Sequence, residues 1–281
     1  MIDLHTHSTC SDGTDSPRAL INQALIQGLS VVAITDHDTI AGWDEARSAV
    51  RLNLELVLGA EISCLTTSGI SVHMLGLLFD GQNAAMRVML EETQDSRIPR
   101  MIKMIQLLNA ANISVTMDDV IAAKPIGATL GRPHLADALV NLGLIKSRDE
   151  AFQGLLNNDS PFYVTHLAPT PEQAIKQIRD AGGVAVIAHA FASLRGKILS
   201  PDDFQPMVHA GLNGIEVDHR DHSGIERAEL RVIARDLGLV VTGSSDYHGT
   251  GKLNILGENT TDREEWEKLE SLANDRRVVR L

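Results

Sequence analysis

The stretch Leu29-Ser30-Val31-Val32-Ala33-Ile34-Thr35 runs directly into Asp36-His37-Asp38, and its reading decides the fold. A short, largely β-branched apolar run with no helical stripe describes a strand buried on both faces. The abrupt change to carboxylate, imidazole and carboxylate makes the C-terminal end of that strand polar. Upstream, Ile2-Asp3-Leu4 reads as a first strand and ends in the same manner, in His5-Thr6-His7. Between the two lies a helix with Ser16 as N-cap, Pro17 at its first position and Gly28 as its stop. Strand, helix, strand is the repeating unit of a parallel sheet.

The rhythm continues outward. Residues 56–63 (LVLGAEIS) form a third strand with Glu61 near its end, and Ser68-Gly69 turns a hairpin into residues 70–79, which include His73. From about Gln82 the texture changes to helices: 84–109 (interrupted at Pro99), 118–123, 133–141 with Arg132 as N-cap, and 148–156. Strands then resume. Thr170-Pro171-Glu172-Gln173 is a capping box opening a helix that stops at Gly182-Gly183. Residues 183–188 (GVAVIA) lead into His189, and 212–217 (LNGIEV) form the next strand. A second capping box, Ser223 with Glu226, starts a helix ending at Gly238, and 239–243 (LVVTG) lead into Ser244-Ser245-Asp246-Tyr247-His248. Such a sheet is open or closed. Histidines and carboxylates at one strand end after another favour a barrel, because an open sheet concentrates its site at one switch point. The expected organisation is a barrel from residues 1–81 and 165–281, with a helical insert at 82–164.

Composition excludes several functions. Of 281 residues, 43% are hydrophobic and 22% charged, as in ordinary globular chains. The 25 Lys+Arg against 37 Asp+Glu give a formal charge of -12, which argues against a groove for duplex nucleic acid or a membrane-surface patch. Aromatics at 3% leave no stacking platform for single strands. Cys10 and Cys64 make no disulfide framework and fit a reducing cytoplasm. No apolar run approaches a bilayer span, and the start MIDLHTH lacks signal-peptide regions.

Histidine is what the composition leaves over. His5-x-His7 alone is a weak signal, although residues two apart on a strand face the same way and can share an ion. Asp12 in a glycine-containing loop, His37, Glu61, His73, His189, Asp246 and His248 complete a set of nine. Buried carboxylates beside imidazoles cost several kcal/mol unless solvent or a cation answers them. Recurrence on strand after strand makes the cation the better explanation. Mixed imidazole and carboxylate donors suit Mn2+, Fe2+ or Zn2+ rather than Mg2+ or Ca2+.

Taken together, His5-Thr6-His7-Ser8, Ser11-Asp12-Gly13, Thr35-Asp36-His37-Asp38, Gly59-Ala60-Glu61-Ile62, Ala188-His189 and Ser244-Ser245-Asp246-Tyr247-His248 resemble the motifs of the polymerase and histidinol phosphatase (PHP) superfamily. The resemblance spans the chain in order. It implies a distorted (β/α)7 barrel with two to three divalent metal ions. By motif position, His5, His7, Glu61 and Asp246 should hold one ion, and Glu61 should bridge to a second held by His73 and His189. Asp12, His37 and His248 should hold the third. Many relatives carry histidine where Asp12 stands, and proline often follows the position of His189, where Ala190-Phe191 stand here.

The insert narrows the branch. Gly131-Arg132-Pro133-His134 sets an arginine at a helix start, where backbone N–H groups and a guanidinium can hold phosphate. With Arg97–Met104 (RIPRMIKM) it resembles the insert of PHP enzymes acting on nucleoside 3',5'-bisphosphates, a branch that includes RNase AM-type enzymes trimming short RNA from its 5' end. That resemblance implies Arg97, Arg100, Arg132, His134 and His222 as substrate contacts, with His219 as the alternative to His222. The expected partner is a small phosphorylated nucleotide or a short RNA. The expected reaction is in-line hydrolysis of a phosphoester by water that the ions activate, with no covalent nucleophile on the protein. The rivals are a histidinol-phosphate phosphatase, for which the insert is wrong, an amidohydrolase, which would be indifferent to inorganic phosphate, and a non-catalytic metal-bearing module, which would lack one of the nine ligands. His166 and His209 read as surface or packing residues, Cys10 as a loop residue, and Met101 and Met104 as core. Asp36 or Asp38 is expected to orient an imidazole. The acidic stretch Glu264, Glu265 and Glu267 reads as a solvated helix face.

Overall fold

In the computed structural model, which describes residues 1–165, 167–193, 196–274 and 278–281, seven strands lie side by side in sequence order. They are β1 (Ile2–Asp3), β2 (Val31–Ile34), β3 (Glu55–Leu65), β4 (Ser71–Leu77), β5 (Val184–Ala188), β6 (Gly214–Asp218) and β7 (Val240–Gly243). The pairs β1–β2 and β2–β3 are parallel, as are β5–β6 and β6–β7. The pairs β3–β4 and β4–β5 are antiparallel, because the Ser68-Gly69 turn sends β4 straight back along β3. Beyond β1 and β7 a parallel bridge between Thr6 and Tyr247, with His7 N–H donating to the Tyr247 carbonyl at 2.8 Å, nearly closes the barrel. His166 lies outside the described residues.

Alternation along each strand sorts the core into two layers. Val31 and Ala33 join Leu4, Val57, Leu75 and Val186 inside the sheet, with Trp266 of the last helix packed into the same cluster. Val32 and Ile34 face the opposite way, into a layer shared with α1 (Pro17–Ile26), α2 (Trp43–Ala49) and later helices. The antiparallel β4 has a consequence for the site. His73, near its start, pairs opposite Ser63 late in β3 and Ala188 at the end of β5, so it reaches the mouth where the parallel strands finish.

Residues 84–153 form α3 (Ala84–Ala110), α4 (Met117–Ala123), α5 (Arg132–Asn141) and α6 (Arg148–Gln153) around their own cluster, which includes Met101, Met104, Leu108, Leu135 and Leu156. Two expectations are corrected here. Helix α3 runs unbroken through Pro99, although proline removes one ladder bond and crowds the preceding turn. The buried side chains of Arg97 and Arg100, bonded outward to Asp38, Ser63, Leu130 and Val164, pin the helix on both sides of it. The N-cap of α5 is Gly131, which puts Arg132 in the first turn. Two helices escaped the sequence, α2 and α8 (Phe204–Ala210): each has seven residues, and neither N-cap makes a side-chain capping bond. The remaining helices are α7 (Pro171–Asp180), α9 (Gly224–Leu237) and α10 (Arg263–Ser271), the first two opened by the expected capping boxes.

Because Pro99 costs about 3 kcal/mol in a helix interior, Pro99→Ala should raise stability by about 1–2 kcal/mol, read from the denaturation midpoint. A lowered midpoint would show that proline at position 99 is needed to seat the two arginines.

Candidate metal centre

At that mouth the side chains of all nine expected ligands come together. Donor atoms of His5, His7, Glu61 and Asp246 lie within 4.8 Å of one another, as do those of His7, Asp12, His37 and His248, and those of His37, Glu61 and His73. His189 joins through Nε2, 3.0 Å from Glu61 Oε1. The grouping departs from the resemblance in one respect: His7 and His37 each serve two groups. Each ring has a nitrogen on either side. His7 places Nε2 3.0 Å from Glu61 and Nδ1 3.7 Å from Asp12, while His37 places Nδ1 3.1 Å from Glu61 and Nε2 3.7 Å from Asp12.

Local backbone explains this density. His189 and Asp246, just beyond β5 and β7, and Asp38, beside His37, have positive φ of 31°, 53° and 53°. Non-glycine residues adopt such angles only where their surroundings hold them, commonly at functional sites. Glu216 on β6 supplies one such hold: it accepts the His189 N–H at 2.8 Å and contacts His5 Nδ1 at 3.1 Å. This role was not legible in the residue pattern, because Glu216 sits mid-strand and not at a strand end. Asp36 and Asp38, expected to orient an imidazole, tie loops instead. Asp36 accepts from Ser8 N–H, Ser8 Oγ and Ser11 Oγ, and Asp38 from Ser63 and Arg97. Gly13 is needed for space, since a Cβ there would stand 2.5 Å from the His7 carbonyl oxygen.

Charge inside the cluster is crowded. Burial raises the cost of ionising Glu61, yet the surrounding imidazoles of His73, His37 and His5 hold its carboxyl well below the usual range. Asp12 and Asp246 are held low in the same way, Asp12 by His248 and His37 and Asp246 by Lys252 and His248, against burial. Against the same burial, neighbouring carboxylates hold His5 well above its ordinary value and His7 up at about 9. Burial pushes His37 well down and His248 down to about 4. The polar atoms are nonetheless unsatisfied: His37 Nδ1, Glu61 Oε2 and His248 Nε2 are buried without a hydrogen-bond partner, and the Nε2 atoms of His5 and His7 face each other at 3.1 Å. Donor atoms crowded together in greater number than protons can pair fit divalent cations. The donor set accommodates two to three such ions.

A cavity of about 410 Å³ opens from the cluster toward the helices of residues 84–153. Its wall includes Arg97, Arg100 and Arg132, and also Arg148, Lys197, Arg220 and Lys252, which the sequence reading did not single out. Arg97 is engaged internally, with Asp38, Ser63 Oγ at 2.8 Å and the Leu130 carbonyl at 3.1 Å. Arg100 and Arg132 both lie over the Tyr163 ring, at 5.3 and 5.2 Å. Burial, and next the charge of Arg132, pull the Arg100 guanidinium down to about 9, while Arg132 donates from Nη1 to the Leu156 carbonyl at 2.8 Å and to Asn158 Oδ1 at 2.7 Å. His134 and His222 stand outside the cavity wall. His134 Nδ1 accepts the Gly131 N–H, and burial lowers its basicity. His222 bonds the Val217 carbonyl and the Phe191 N–H. The alternative, His219, is the one that reaches the cluster, with Nε2 3.5 Å from Asp246 Oδ2. Lys252 Nζ lies 2.9 Å from the same oxygen. Cys10, its thiol pushed up to about 11 mainly by burial, and the exposed His209 take no part.

A nearly closed seven-stranded barrel with a polynuclear donor cluster at one mouth defines a class, the metal-dependent hydrolases. Residues 3–121 match the PHP domain model. A 5'-3' exoribonuclease of Haemophilus influenzae is 35% identical over 92% of this chain and 93% of its own. A 3',5'-nucleoside bisphosphate phosphatase of Chromobacterium violaceum is 32% identical over 89% and 88%. The crystal structure of a protein from Bifidobacterium adolescentis assigned as a metal-dependent phosphoesterase superposes with a TM-score of 0.91 at 40% identity, covering 98% of this chain and 96% of that one. The chain belongs to the PHP superfamily of metal-dependent phosphoesterases and is related to its nucleoside-bisphosphate phosphatase and RNase AM branch. No helix among the described residues is long and apolar enough to cross a membrane.

Since His7 is protonated at neutral pH in the empty cluster, loading the metal-free protein should release protons, and metal affinity should fall as pH falls from 9 toward 6. Calorimetry in two buffers of different ionisation enthalpy reads the release; identical heats in both would contradict it.

Proposed function

We propose that this enzyme hydrolyses a phosphomonoester of nucleoside 3',5'-bisphosphates, such as adenosine 3',5'-bisphosphate, with short 5'-phosphorylated RNA as a further substrate of the same site. The observation that carries the reading is the continuity of one cavity from the donor cluster to Arg100 and Arg132. A molecule with two phosphates can place one at each end. The relatives named above, one acting on nucleoside bisphosphates and one on RNA from its 5' end, support this substrate class.

In this reading the ligands are His5, His7, Glu61 and Asp246 for one ion, Glu61, His73 and His189 for a second, and Asp12, His37 and His248 for the third. Mn2+, Fe2+ or Zn2+ suits their mixed nitrogen and oxygen donors. When bound, the ions supply Lewis acidity toward a phosphoryl oxygen and lower the pKa of water. The chain's own residues do the rest. Arg132 in the first turn of α5, with Arg100 beside it, binds the phosphate that is not cleaved. The insert of residues 82–164 is thus the substrate-recognition element on a barrel of residues 1–81 and 165–281. Tyr163 and Phe152, at 5.2 and 5.5 Å from the Arg132 guanidinium, keep that side chain extended toward the cavity. Six neutral imidazoles and three carboxylates contribute about -3 and three divalent ions about +6, so the site draws phosphate into an acidic protein.

Phosphate release from adenosine 3',5'-bisphosphate should exceed that from histidinol phosphate, and a short 5'-phosphorylated RNA should be shortened from its 5' end. Preference for histidinol phosphate would overturn the assignment. Removing one charge-assisted phosphate contact costs about 1.5–3 kcal/mol, so Arg132→Ala should raise KM for the bisphosphate about 10- to 100-fold. Its turnover of p-nitrophenyl phosphate, which carries one phosphate only, should stay close to that of the parent. An equal loss of kcat on both substrates would remove Arg132 from recognition.

A further inference from the structure

The donors are not all held with equal firmness. His5 and His7 follow β1, with His7 fastened to the Tyr247 carbonyl; Glu61 lies within β3, and Asp246 lies three residues beyond the end of β7, beside the Tyr247 bridge to Thr6. Asp12 has no such frame. It sits in the loop between His7 and α1, and its carboxylate lies 3.2 Å from His248 Nε2 and 3.7 Å from His37 Nε2.

Asp36 ties the Ser8 and Ser11 part of this loop to the barrel, and the contact to the Asp12 backbone itself comes from the insert. Arg148, in the first turn of α6, donates from Nη1 to the backbone carbonyl of Asp12 at 3.1 Å. Its Nε and Nη2 grip both carboxylate oxygens of Asp137 on α5, each at 2.5 Å, so the guanidinium is fixed before it reaches the loop. Nearby, Thr129 N–H donates to the Cys10 carbonyl at 2.9 Å. Arg148 also meets the other side of the same site. Gly251, three residues after His248, passes so near that a Cβ there would stand 2.4 Å from Arg148 Nη1. The loops carrying Asp12 and His248 are tied to each other as well, by Thr14 N–H on the His248 carbonyl at 3.1 Å. One guanidinium therefore sits in the notch between the two loops that carry Asp12 and His248.

We propose that Arg148 is a positioning residue for the ion held by Asp12, His37 and His248, so that docking of the helical insert sets the occupancy of this third position. The inference rests on the three-ion reading given above. Fixing the Asp12 carbonyl fixes the Cα from which its carboxylate projects, and a ligand displaced by about 1 Å no longer completes a coordination shell. The ion bound by His5, His7, Glu61 and Asp246 has no such dependence, because β3 and the Thr6–Tyr247 bridge place its ligands without the insert. A simple staple between α5 and α6 would instead lower global stability and leave all ion affinities alike.

The test is Mn2+ titration of the metal-free full chain, with metal content per chain measured after dialysis and the fold checked by near-UV circular dichroism. The parent should take up three ions. Arg148→Ala should keep two at parental affinity and bind the third at least ten-fold more weakly, with excess Mn2+ restoring occupancy. Arg148→Lys should recover part of the loss. Asp137→Asn, which loosens the guanidinium without deleting it, should shift the third affinity in the same direction by less and remains informative if Arg148→Ala does not fold. Three ions at parental affinity in Arg148→Ala and in Asp137→Asn overturn the proposal, as does parallel weakening of all three. A parent chain that never takes a third ion overturns the three-ion reading itself, a result distinct from either.

Discussion

The carboxylate of Glu61 lies within 3.2 Å of a nitrogen from each of five imidazoles, those of His5, His7, His37, His73 and His189. It is 1% exposed. One carboxylate can accept from only some of these nitrogens at once, and the rings cannot all be protonated so close together. Protons alone leave such a knot with lone pairs facing lone pairs. Divalent cations resolve it, because each accepts several lone pairs without adding donors. The rest of the barrel mouth is arranged around this one requirement, including the strained backbones of His189 and Asp246 and the buried Glu216 that holds two of the histidines.

The hairpin between β3 and β4 makes the knot possible. In an all-parallel barrel each strand offers the mouth only its last residue or two. Reversing β4 lets Glu61 and His73, which lie 12 residues apart, meet at 2.6 Å across an antiparallel ladder. The same ladder brings His73 beside Ala188 and hence near His189. A distortion of the regular βα repeat thus serves the chemistry directly: it adds a second edge of ligands where the parallel strands supply one.

How much of this the sequence carried follows from how local each signal is. Strand ends marked by His7, His37, His189 and His248 were legible because apolar runs stopped at them, and the capping boxes at Thr170 and Ser223 fixed two helices. Helices α2 and α8 were not, because neither has a side-chain cap and each is only two turns long. Pro99 misled for the opposite reason: its local cost is real, and the bonds of Arg97 and Arg100 that overcome it are long-range. The nine donors could be gathered as a set from residue type and motif. Their sharing could not, since the two faces of the His7 and His37 rings are decided by where Asp12 and Glu61 lie in space. Glu216, Tyr163 and Lys252 were invisible for the same reason.

The electrostatic plan of the molecule follows from combining these layers. A chain of net charge -12 repels long polyanions over most of its surface. At one mouth the sign would reverse on metal loading, since two or three divalent ions exceed their ligands in charge, and Arg100, Arg132, Arg220 and Lys252 line the cavity beyond. Field lines in such a recess are focused by its low-dielectric walls, which raises the local concentration of small anions. The insert supplies both the arginines at the far end of the recess and the guanidinium of Arg148 beneath the Asp12 loop. In the function and positioning role proposed above, recognition of the distal phosphate and assembly of the cluster share one structural element. On those two proposals, an alteration in how that element docks acts on both at once and couples substrate choice to metal occupancy.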